Sequence, residues 1–231
     1  MANFIKKLIC RIINRISINI DIIFYGIKIE FGQDASIRTG MRYLLKKFKK
    51  KHISVLEIGT RHGESAKVIL RTLNIKKYTV IDPFITYQDY KSDPANKLMT
   101  HGDKIYKKTK KELKPLCKNL IFLRGFSNNK KILKNIKKNS LDLVFVDGNH
   151  EYKYVLEDLR NYFPKIKKGG ILMGDDFNHR SKKSDFLNKM PGNKKNKGVY
   201  EAVISFSKEN KINFSTFGHQ GGYPKLFLFK K

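Results

Sequence analysis

The sequence predicts an α/β protein built on a mostly parallel sheet, with helices on both faces and an antiparallel hairpin at the carboxyl end. Short apolar runs alternate with longer segments of helical periodicity through most of the 231 residues. Four of the apolar runs are followed directly by Gly59, Asp82, Asp147 and Asp175. Because the carboxyl ends of parallel strands form the ligand edge of an open sheet, these residues predict a site there.

The first 35 residues are predicted to form an accessory element. Apolar residues recur at helical spacing from Phe4 to Ile16, and lysines and arginines occupy the other side, which indicates a basic amphipathic helix. Charges interrupt it too often for a transmembrane span or a signal peptide. Packing on the domain or against a second copy in a homodimer is the commoner use of such a helix, and peripheral membrane contact is the alternative. A short strand from Ile22 to Ile29 is predicted next, and the main domain covers 36–231.

A helix from about Ser36 to Lys50 leads into the most informative stretch, Val55 to Gly63. It reads as a buried strand, a turn with two spaced glycines and the start of a helix that continues to Leu73. Gly59 permits a sharp turn and close approach of a ligand, and Gly63 lets the following helix pack tightly. The spacing E-x-G-x-x-x-G differs from the dinucleotide fingerprint G-x-G-x-x-G and from a P-loop. It still predicts a turn that holds a nucleotide-like ligand.

The second strand, Tyr78 to Ile81, ends at Asp82, about 20 residues beyond the glycines. Doubly wound folds place an acidic residue at this position for the ribose hydroxyls. A carboxylate suits that task because it accepts hydrogen bonds from two adjacent hydroxyls at once. The alternative is a strand-end Asp that caps a turn with Pro83.

The remaining elements continue the alternation of helix and strand. In chain order they are a helix Ala95 to Leu113, a strand Leu120 to Leu123, a helix Asn128 to Lys137, a strand Leu141 to Val146, a helix Glu151 to Phe163, a strand Gly170 to Gly174, a helix that begins near Gly198, and strands Ile212 to Phe217 and Lys225 to Phe229. The last two strands alternate apolar residues around Gly218 to Pro224, which predicts an antiparallel pair. The segment from Phe177 to Lys197 lacks periodicity and is predicted to be a mobile loop over the ligand edge.

Three carboxylates are expected to meet at the ends of two neighbouring strands. Asp147 follows one strand, and Asp175 and Asp176 follow the next. Like charges so close need a cation or a proton, and oxygen ligands suit Mg²⁺ or another hard divalent cation. The alternative is that Asp175 and Asp176 cap a loop and Asp147 begins a helix. His150 is a candidate general base, a ligand contact, or a helix-start residue bonded to Asp147.

The motifs together resemble a known family. The Glu57 to Gly63 turn resembles the first motif of class I methyltransferases that use S-adenosyl-L-methionine (SAM). The block from Leu141 to Phe177 resembles the "DLVFVDG-x-H…DL…GG…DD" segment of the family that includes catechol-type and macrocin-type sugar O-methyltransferases. Gly198 to Val203 is similar to its "GV-x-x-AV" helix. The resemblance spans roughly Ser36 to Phe229 and implies a Rossmann-like fold with seven strands.

The resemblance also implies a cofactor and roles for the motif residues. The residues implied to bind SAM are Glu57, Gly59, Thr60, Gly63, Asp82, Gly125, Phe126, Ser127 and Asp147. Gly125 to Ser127 would hold the adenine, with Phe126 stacking on it, and core packing of Phe126 is the alternative. In the resembling metal-dependent enzymes, residues matching Asp147, Asp175 and Asp176 hold a divalent cation against two substrate oxygens. Asp147 and His150 are the implied catalytic residues. The catechol branch has Asp-Asn where this chain has Asp-Asp, which favours a sugar hydroxyl as acceptor.

The charge is strongly positive, with 49 Lys and Arg against 20 Asp and Glu, a net charge of +29. Such a field attracts nucleic acid, an anionic lipid surface or a phosphorylated substrate such as a nucleotide sugar. The excess is mostly lysine spread along the chain, as codon bias also produces, and no arginine cluster with interleaved aromatics stands out. A nucleic-acid substrate is therefore not favoured.

Two cysteines, Cys10 and Cys117, are too few for a disulfide framework or zinc site, which favours a cytoplasmic setting.

The function predicted from the sequence is SAM-dependent O-methylation, assisted by a divalent cation, of a small hydroxylated acceptor such as a sugar or nucleotide sugar. Two other classes remain open. One is a nucleic-acid methyltransferase that uses the basic surface. The other is a non-catalytic module in which the fold serves assembly or membrane recruitment.

Overall fold

In the computed structural model, the described residues are 16, 19–28, 37–48, 51–86, 101–178, 198–220 and 223–231. The strands are β1 (Ile53–Ile58), β2 (Ile75–Ile81), β3 (Leu120–Leu123), β4 (Leu141–Val146), β5 (Ile166–Gly174), β6 (Phe214–Gln220) and β7 (Tyr223–Lys230). The helices are α1 (Arg38–Phe48), α2 (Glu64–Thr72), α3 (Gly102–Leu113), α4 (Lys130–Asn135), α5 (Tyr152–Tyr162) and α6 (Val199–Asn210). Short 3₁₀ turns follow α3 and α5 at Lys114–Leu116 and Phe163–Lys165.

The seven strands form one sheet in the order β3-β2-β1-β4-β5-β7-β6. Strands β1 to β5 run parallel to one another, and β7 runs antiparallel to both β5 and β6. The predicted α/β fold with a seven-stranded, mostly parallel sheet and a carboxyl-terminal hairpin is confirmed. The strand order reverses between β1 and β4, which makes the crevice above their carboxyl ends the expected ligand site.

The sheet is buried on both faces, which explains why its parallel strands read as nearly continuous apolar runs. Adjacent residues of one strand join different clusters: Leu143 packs with Met41 and Val68 from α1 and α2, and Val144 packs with Leu159 and Phe206 from α5 and α6. Burying such a side chain contributes roughly 1.5–3 kcal/mol to stability. The two layers of helices therefore hold the strand ends in fixed positions.

Most boundaries differ little from those predicted. Strands β3 and β4 begin and end where the sequence predicts. Helix α4 is shorter than predicted because Asn129 caps it, its side-chain oxygen accepting from the backbone N–H groups of Lys131 and Ile132. Strand β5 begins at Ile166, four residues before the predicted Gly170. Its first part carries lysines and glycine, so pairing with β4, rather than apolar pattern, extends it.

The strand predicted from Ile22 to Ile29 is wrong, because residues 19–25 are helical. Long-range contacts decide this segment: the buried Asp21 carboxylate accepts hydrogen bonds from the side chains of Arg38 and Arg42 in α1. The Arg42 guanidinium also lies over the Tyr25 ring at 4.6 Å. Residues 19–28 therefore pack on the domain through α1.

Several predictions lie wholly or partly outside the described residues. They are the basic helix from Phe4 to Ile16 apart from Ile16 itself, the start of the helix predicted from Ala95, and the loop predicted from Phe177 to Lys197 beyond Asn178. The peripheral membrane and homodimer alternatives for the first helix thus stay predictions. Within the described part of the chain, no helix has the length and apolarity needed to cross a membrane.

Candidate active site

A cavity of about 500 Å³ opens at the carboxyl ends of β1 to β4. Its walls include Gly59 after β1, Pro83 after β2, residues 125–128 after β3, and Gly148 and Asn149 after β4. The volume falls in the range of small-molecule and cofactor sites. The structure thus brings together, around one cavity, residues from four strand ends that are up to 90 positions apart in sequence.

The glycine turn has the geometry that its sequence predicts. Gly59 and Gly63 have φ values of +84° and +77°, in the left-handed region that favours glycine. A Cβ atom on Gly59 would overlap the backbone carbonyl of Asp147 at the end of β4. A Cβ atom on Gly63 would lie 3.1 Å from Thr109 Cγ2 of α3. Gly59 therefore lets β1 and β4 approach each other, and Gly63 makes room for a helix against the turn.

Glu57 and Thr60 support this turn from inside the protein. Glu57 is only 1% exposed, and its Oε2 accepts hydrogen bonds from Thr60 Oγ1 at 2.8 Å and from the Tyr78 hydroxyl at 2.9 Å. Neither side chain lines the cavity. Both residues therefore position the turn, and their direct contact with the cofactor stays a prediction.

Glu57→Gln should flatten the pH dependence of stability. Burial raises the pKa of Glu57 from 4.5 to about 7, so the folded state binds its proton more tightly than the unfolded state. The stability from this carboxyl is fully present below pH 4.5 and is lost as the pH rises through 7. As the pH rises from 4.5 through 7, the free energy of unfolding of the wild type should therefore fall. It should fall by up to about 3 kcal/mol more than that of Glu57→Gln, which has no carboxyl at this position. Urea unfolding at pH 4.5 and 8 measures this, and parallel pH profiles for the two proteins would contradict it.

Asp82 holds two backbone segments together. Its carboxylate accepts hydrogen bonds from the N–H groups of Arg61, at 2.9 Å, and Phe84, at 2.7 Å. The bond to Phe84 is the strand-end cap considered as an alternative, and the bond to Arg61 ties the glycine turn to the end of β2. Pro83 lies beside it in the cavity wall. The contact of Asp82 with ribose hydroxyls stays a prediction.

The predicted adenine segment lies in the cavity wall. Gly125, Phe126 and Ser127 all line it, and Phe126 is 44% exposed. Core packing of Phe126, the alternative, is therefore not observed. The Tyr162 hydroxyl of α5 donates to the Ser127 carbonyl at 2.7 Å, which anchors the segment to the helix behind it. These positions agree with a wall on which a flat base could stack.

A polar cluster lies beside the cavity at the ends of β4 and β5. Ligand atoms of Asp147, His150 and Asp176 lie within 4.8 Å of one another. His150 Nε2 is 3.0 Å from Asp176 Oδ2 and 3.9 Å from Asp147 Oδ1. Asp175 lies outside this group, since consecutive residues at a strand end point in different directions, and its Oδ1 accepts from the Asp176 N–H at 2.7 Å. The ligand set Asp147, Asp175 and Asp176 stays a prediction, and the structure adds His150 as a further candidate ligand.

Lys225 of β7 is a member of this cluster that the sequence reasoning missed. Its Nζ forms an ion pair with Asp176 and lies 3.4 Å from Asp175 Oδ1. Burial lowers the pKa of Lys225, but Asp176 and Asp175 more than offset this effect and raise it above its ordinary value. Burial and then Asp175 and Asp176 raise the pKa of Asp147 well above its ordinary value. The ammonium group of Lys225 thus supplies a positive charge among these carboxylates.

These features define a class: a doubly wound α/β sheet with a nucleoside-sized cavity at its switch point and a polar cluster next to it. The family model described as "Methyltransferase domain" matches residues 56–177. The chain belongs to this family and is a class I SAM-dependent methyltransferase. No curated protein matches the chain.

Solved structures share the fold. A proposed caffeoyl-CoA O-methyltransferase from Staphylococcus aureus is 14% identical, with 98% of each chain covered and a TM-score of 0.57. Cofactor-bound Rv0187 from MTB is 14% identical, with 89% of this chain and 84% of that chain covered and a TM-score of 0.54. The MycE methyltransferase of the mycinamycin biosynthetic pathway is 14% identical, with 87% of this chain and 50% of that chain covered and a TM-score of 0.53.

Proposed function

We propose that this methyltransferase transfers the methyl group of SAM to a hydroxyl oxygen of a small acceptor, with a sugar or nucleotide sugar as the favoured class. One observation carries the proposal: a single loop after β4 serves both the cavity and the polar cluster. Gly148 and Asn149 line the cavity, while Asp147 and His150 lie close to Asp176, which follows β5. A methyl donor in the cavity and a hydroxyl at the cluster would therefore meet across this loop.

The chemistry asks for alignment and for removal of one proton. SAM supplies a sulfonium-bound methyl group, so a bond forms between the acceptor oxygen and carbon while the carbon–sulfur bond breaks. The protein has to hold the hydroxyl in line and accept its proton. Asp147, His150 and Asp176 offer carboxylate and imidazole acceptors within 4.8 Å of one another. The 3.0 Å contact between His150 and Asp176 would also stabilise a protonated imidazole.

Metal assistance forms part of the proposal. The close ligand atoms of Asp147, His150 and Asp176 fit one divalent cation, with carboxylates suited to Mg²⁺ or Mn²⁺ and the imidazole better suited to softer ions. A bound cation would lower the pKa of an acceptor hydroxyl and orient it. Lys225 already pairs with Asp176, so a cation would compete with its ammonium group. The MycE structure, which contains Mg together with SAH and mycinamycin VI, supports metal use by analogy.

The acceptor class follows from charge and from the two consecutive aspartates. A net charge of +29 favours acceptors that carry phosphate, which nucleotide sugars do. The Asp175-Asp176 pair matches the sugar branch of the resembling family rather than the catechol branch. A small acceptor is favoured over nucleic acid because the polar cluster adjoins the cavity itself.

The test is a methyl-transfer assay with purified protein, SAM and separate panels of nucleotide sugars, free sugars, catechols and RNA. We expect methylated nucleotide sugar or sugar by mass spectrometry, with one S-adenosylhomocysteine (SAH) released per methyl group. Parallel reactions with EDTA and with added Mg²⁺ or Mn²⁺ test the metal, and EDTA should slow transfer at least tenfold. Transfer to RNA alone would overturn the acceptor class, and full activity in EDTA would overturn the metal role.

A further inference from the structure

We propose that residues 22–25, here called the apolar patch, insert into the surface of a bilayer that contains anionic lipid and so place this enzyme at a membrane. Seven large apolar side chains are exposed in the described part of the chain. Two of them, Ile85 and Phe126, line the cavity. The other five lie within residues 16–25, and Phe24 is the most exposed of them, at 77%. Apart from the cavity, therefore, the exposed apolar surface of the described residues is gathered in one short segment.

Both ends of the apolar patch are fixed to the domain. Before it, Asp21 is 1% exposed, and its carboxylate accepts hydrogen bonds from Arg38 and Arg42 of α1. After it, Gly26 has a φ of +63°, and Ile27 is buried in the core cluster that includes the apolar face of α1. The patch is therefore a projecting helical turn whose position is set by the buried residues on either side.

Cations lie beside the apolar patch. The Arg42 guanidinium lies over the Tyr25 ring at 4.6 Å. Lys28 and Lys46 are exposed, and Lys46 follows Arg42 by one turn of α1, so these two lie on the same side of that helix. Among the first 29 residues of the sequence, five are lysine or arginine, and the one acidic residue is buried. An apolar surface beside exposed cations is typical of segments that bind anionic lipid.

The charge favours a membrane over a second copy of the chain as the occupant of the patch. Each copy carries a net charge of +29, so pairing through the patch would bring the exposed cations of two copies together. An anionic bilayer offers the opposite charge at its surface and an apolar interior for the isoleucine and phenylalanine side chains. Tyr25 and Arg42 each have an apolar part and a polar end, which suits the boundary between headgroups and acyl chains.

The first test measures binding of the purified full chain to sedimented vesicles. The vesicles contain phosphatidylcholine, alone or in equal parts with phosphatidylglycerol, and about 0.5 M salt screens adsorption by lysines elsewhere on the surface. Ile23→Ser combined with Phe24→Ser should weaken binding to the anionic vesicles about tenfold or more, because two inserted side chains are lost while the net charge is unchanged. Ile85→Ser combined with Phe126→Ser is the matched control, since it changes the same residue types at the cavity. This control should bind the vesicles as the wild type does.

The second test uses the absence of tryptophan from the sequence. Phe24→Trp introduces one indole at the exposed patch, and Phe126→Trp introduces one at the cavity wall. When anionic vesicles are added, the fluorescence emission of Phe24→Trp should shift to shorter wavelength, because its indole leaves water. The emission of Phe126→Trp should not change.

Three results would overturn the inference. One is equal binding of anionic vesicles by the wild type and the variant with Ile23→Ser and Phe24→Ser, whose fold circular dichroism checks beforehand. Another is an unshifted emission of Phe24→Trp, which would show that the protein adsorbs through surface lysines alone. The third is a lipid-free dimer of the wild type, seen by sedimentation equilibrium, that the same double variant does not form, because it would assign the patch to a second copy.

The lipid composition has its own outcome. Equal binding to vesicles with and without phosphatidylglycerol would overturn the requirement for anionic lipid. None of these measurements uses SAM or an acceptor, so failure of the methyl-transfer assay leaves them unaffected.

Discussion

Asp147→Ala should lower kcat about a thousandfold while changing the affinity for SAH by less than about threefold. Asp147 is the member of the polar cluster that follows β4, where its loop also forms part of the cavity wall. The cavity is lined by its neighbours Gly148 and Asn149 rather than by its carboxyl group. Removing the carboxyl therefore removes a proton acceptor and a cation ligand but leaves the cofactor walls in place. Single-turnover kinetics with an identified acceptor and titration with SAH measure the two effects separately.

The same variant should not lose stability. Burial and two neighbouring carboxylates raise the pKa of Asp147 well above its ordinary value, so its charge is unfavourable in the folded protein. The matched control is Asp142→Ala at the other end of β4, away from the cavity. The Asp142 carboxylate forms an ion pair with Lys167, with an N–O distance of 2.8 Å. We expect the kcat of that variant to stay within about twofold of the wild type. Full activity of Asp147→Ala would rule out its catalytic and metal roles.

Gly59→Ala should destabilise the protein by about 3 kcal/mol or more and abolish measurable SAH binding. Gly59 has a φ of +84°, which costs other residues about 1 kcal/mol or more. Its added Cβ would also overlap the carbonyl of Asp147 and crowd Gly148 Cα, both of which are backbone atoms. Backbone cannot move aside as a side-chain tip can, so β1 and β4 would separate at the switch point. Urea unfolding gives the stability change, and SAH titration of the folded fraction gives the change in binding.

Gly169→Ala is the matched control for backbone strain. Gly169 has a φ of +78°, but a Cβ there would meet no atom within 4 Å. In this variant, backbone strain alone should lower the free energy of unfolding, by about 1–2 kcal/mol. The affinity for SAH should stay that of the wild type. An equal loss of stability in both variants would show that strain, rather than the approach of β4 to the glycine turn, explains the requirement for glycine at position 59.

The sequence predicts much of this fold because its signals are local and repeated. Buried parallel strands are apolar along most of their length, so the apolar runs in the sequence predict where β3 and β4 begin and end. The glycine turn is visible because left-handed backbone leaves few choices of residue. The acidic residues at strand ends are visible because parallel strands bring their carboxyl ends to one edge. These rules predict that Gly59, Asp147, Asp175 and Asp176 lie at a common edge of the sheet.

The signals that failed depend on contacts distant in sequence. Residues 19–25 carry a pattern typical of a strand, but the ion pairs of Asp21 with α1 hold them as a helix. The sequence also gives no sign that Glu57 supports the glycine turn from inside, because its partners Thr60 and Tyr78 are brought together by the fold. Lys225 gives no sign in the sequence, because its role depends on the register of β7 beside β5, in which Gly174 pairs with Phe227.

By itself, therefore, the sequence determined the α/β class, the order of the elements, the methyltransferase motifs and the edge of the sheet that carries the site. Periodicity and backbone preference are properties of short segments, so they survive without knowledge of the fold. Only the tertiary structure decided that His150 lies between Asp147 and Asp176 and that Lys225 pairs with the acidic residues of the cluster. The direction of a side chain and the partner that it meets depend on strand register and helix packing, which segments far apart in the chain set together.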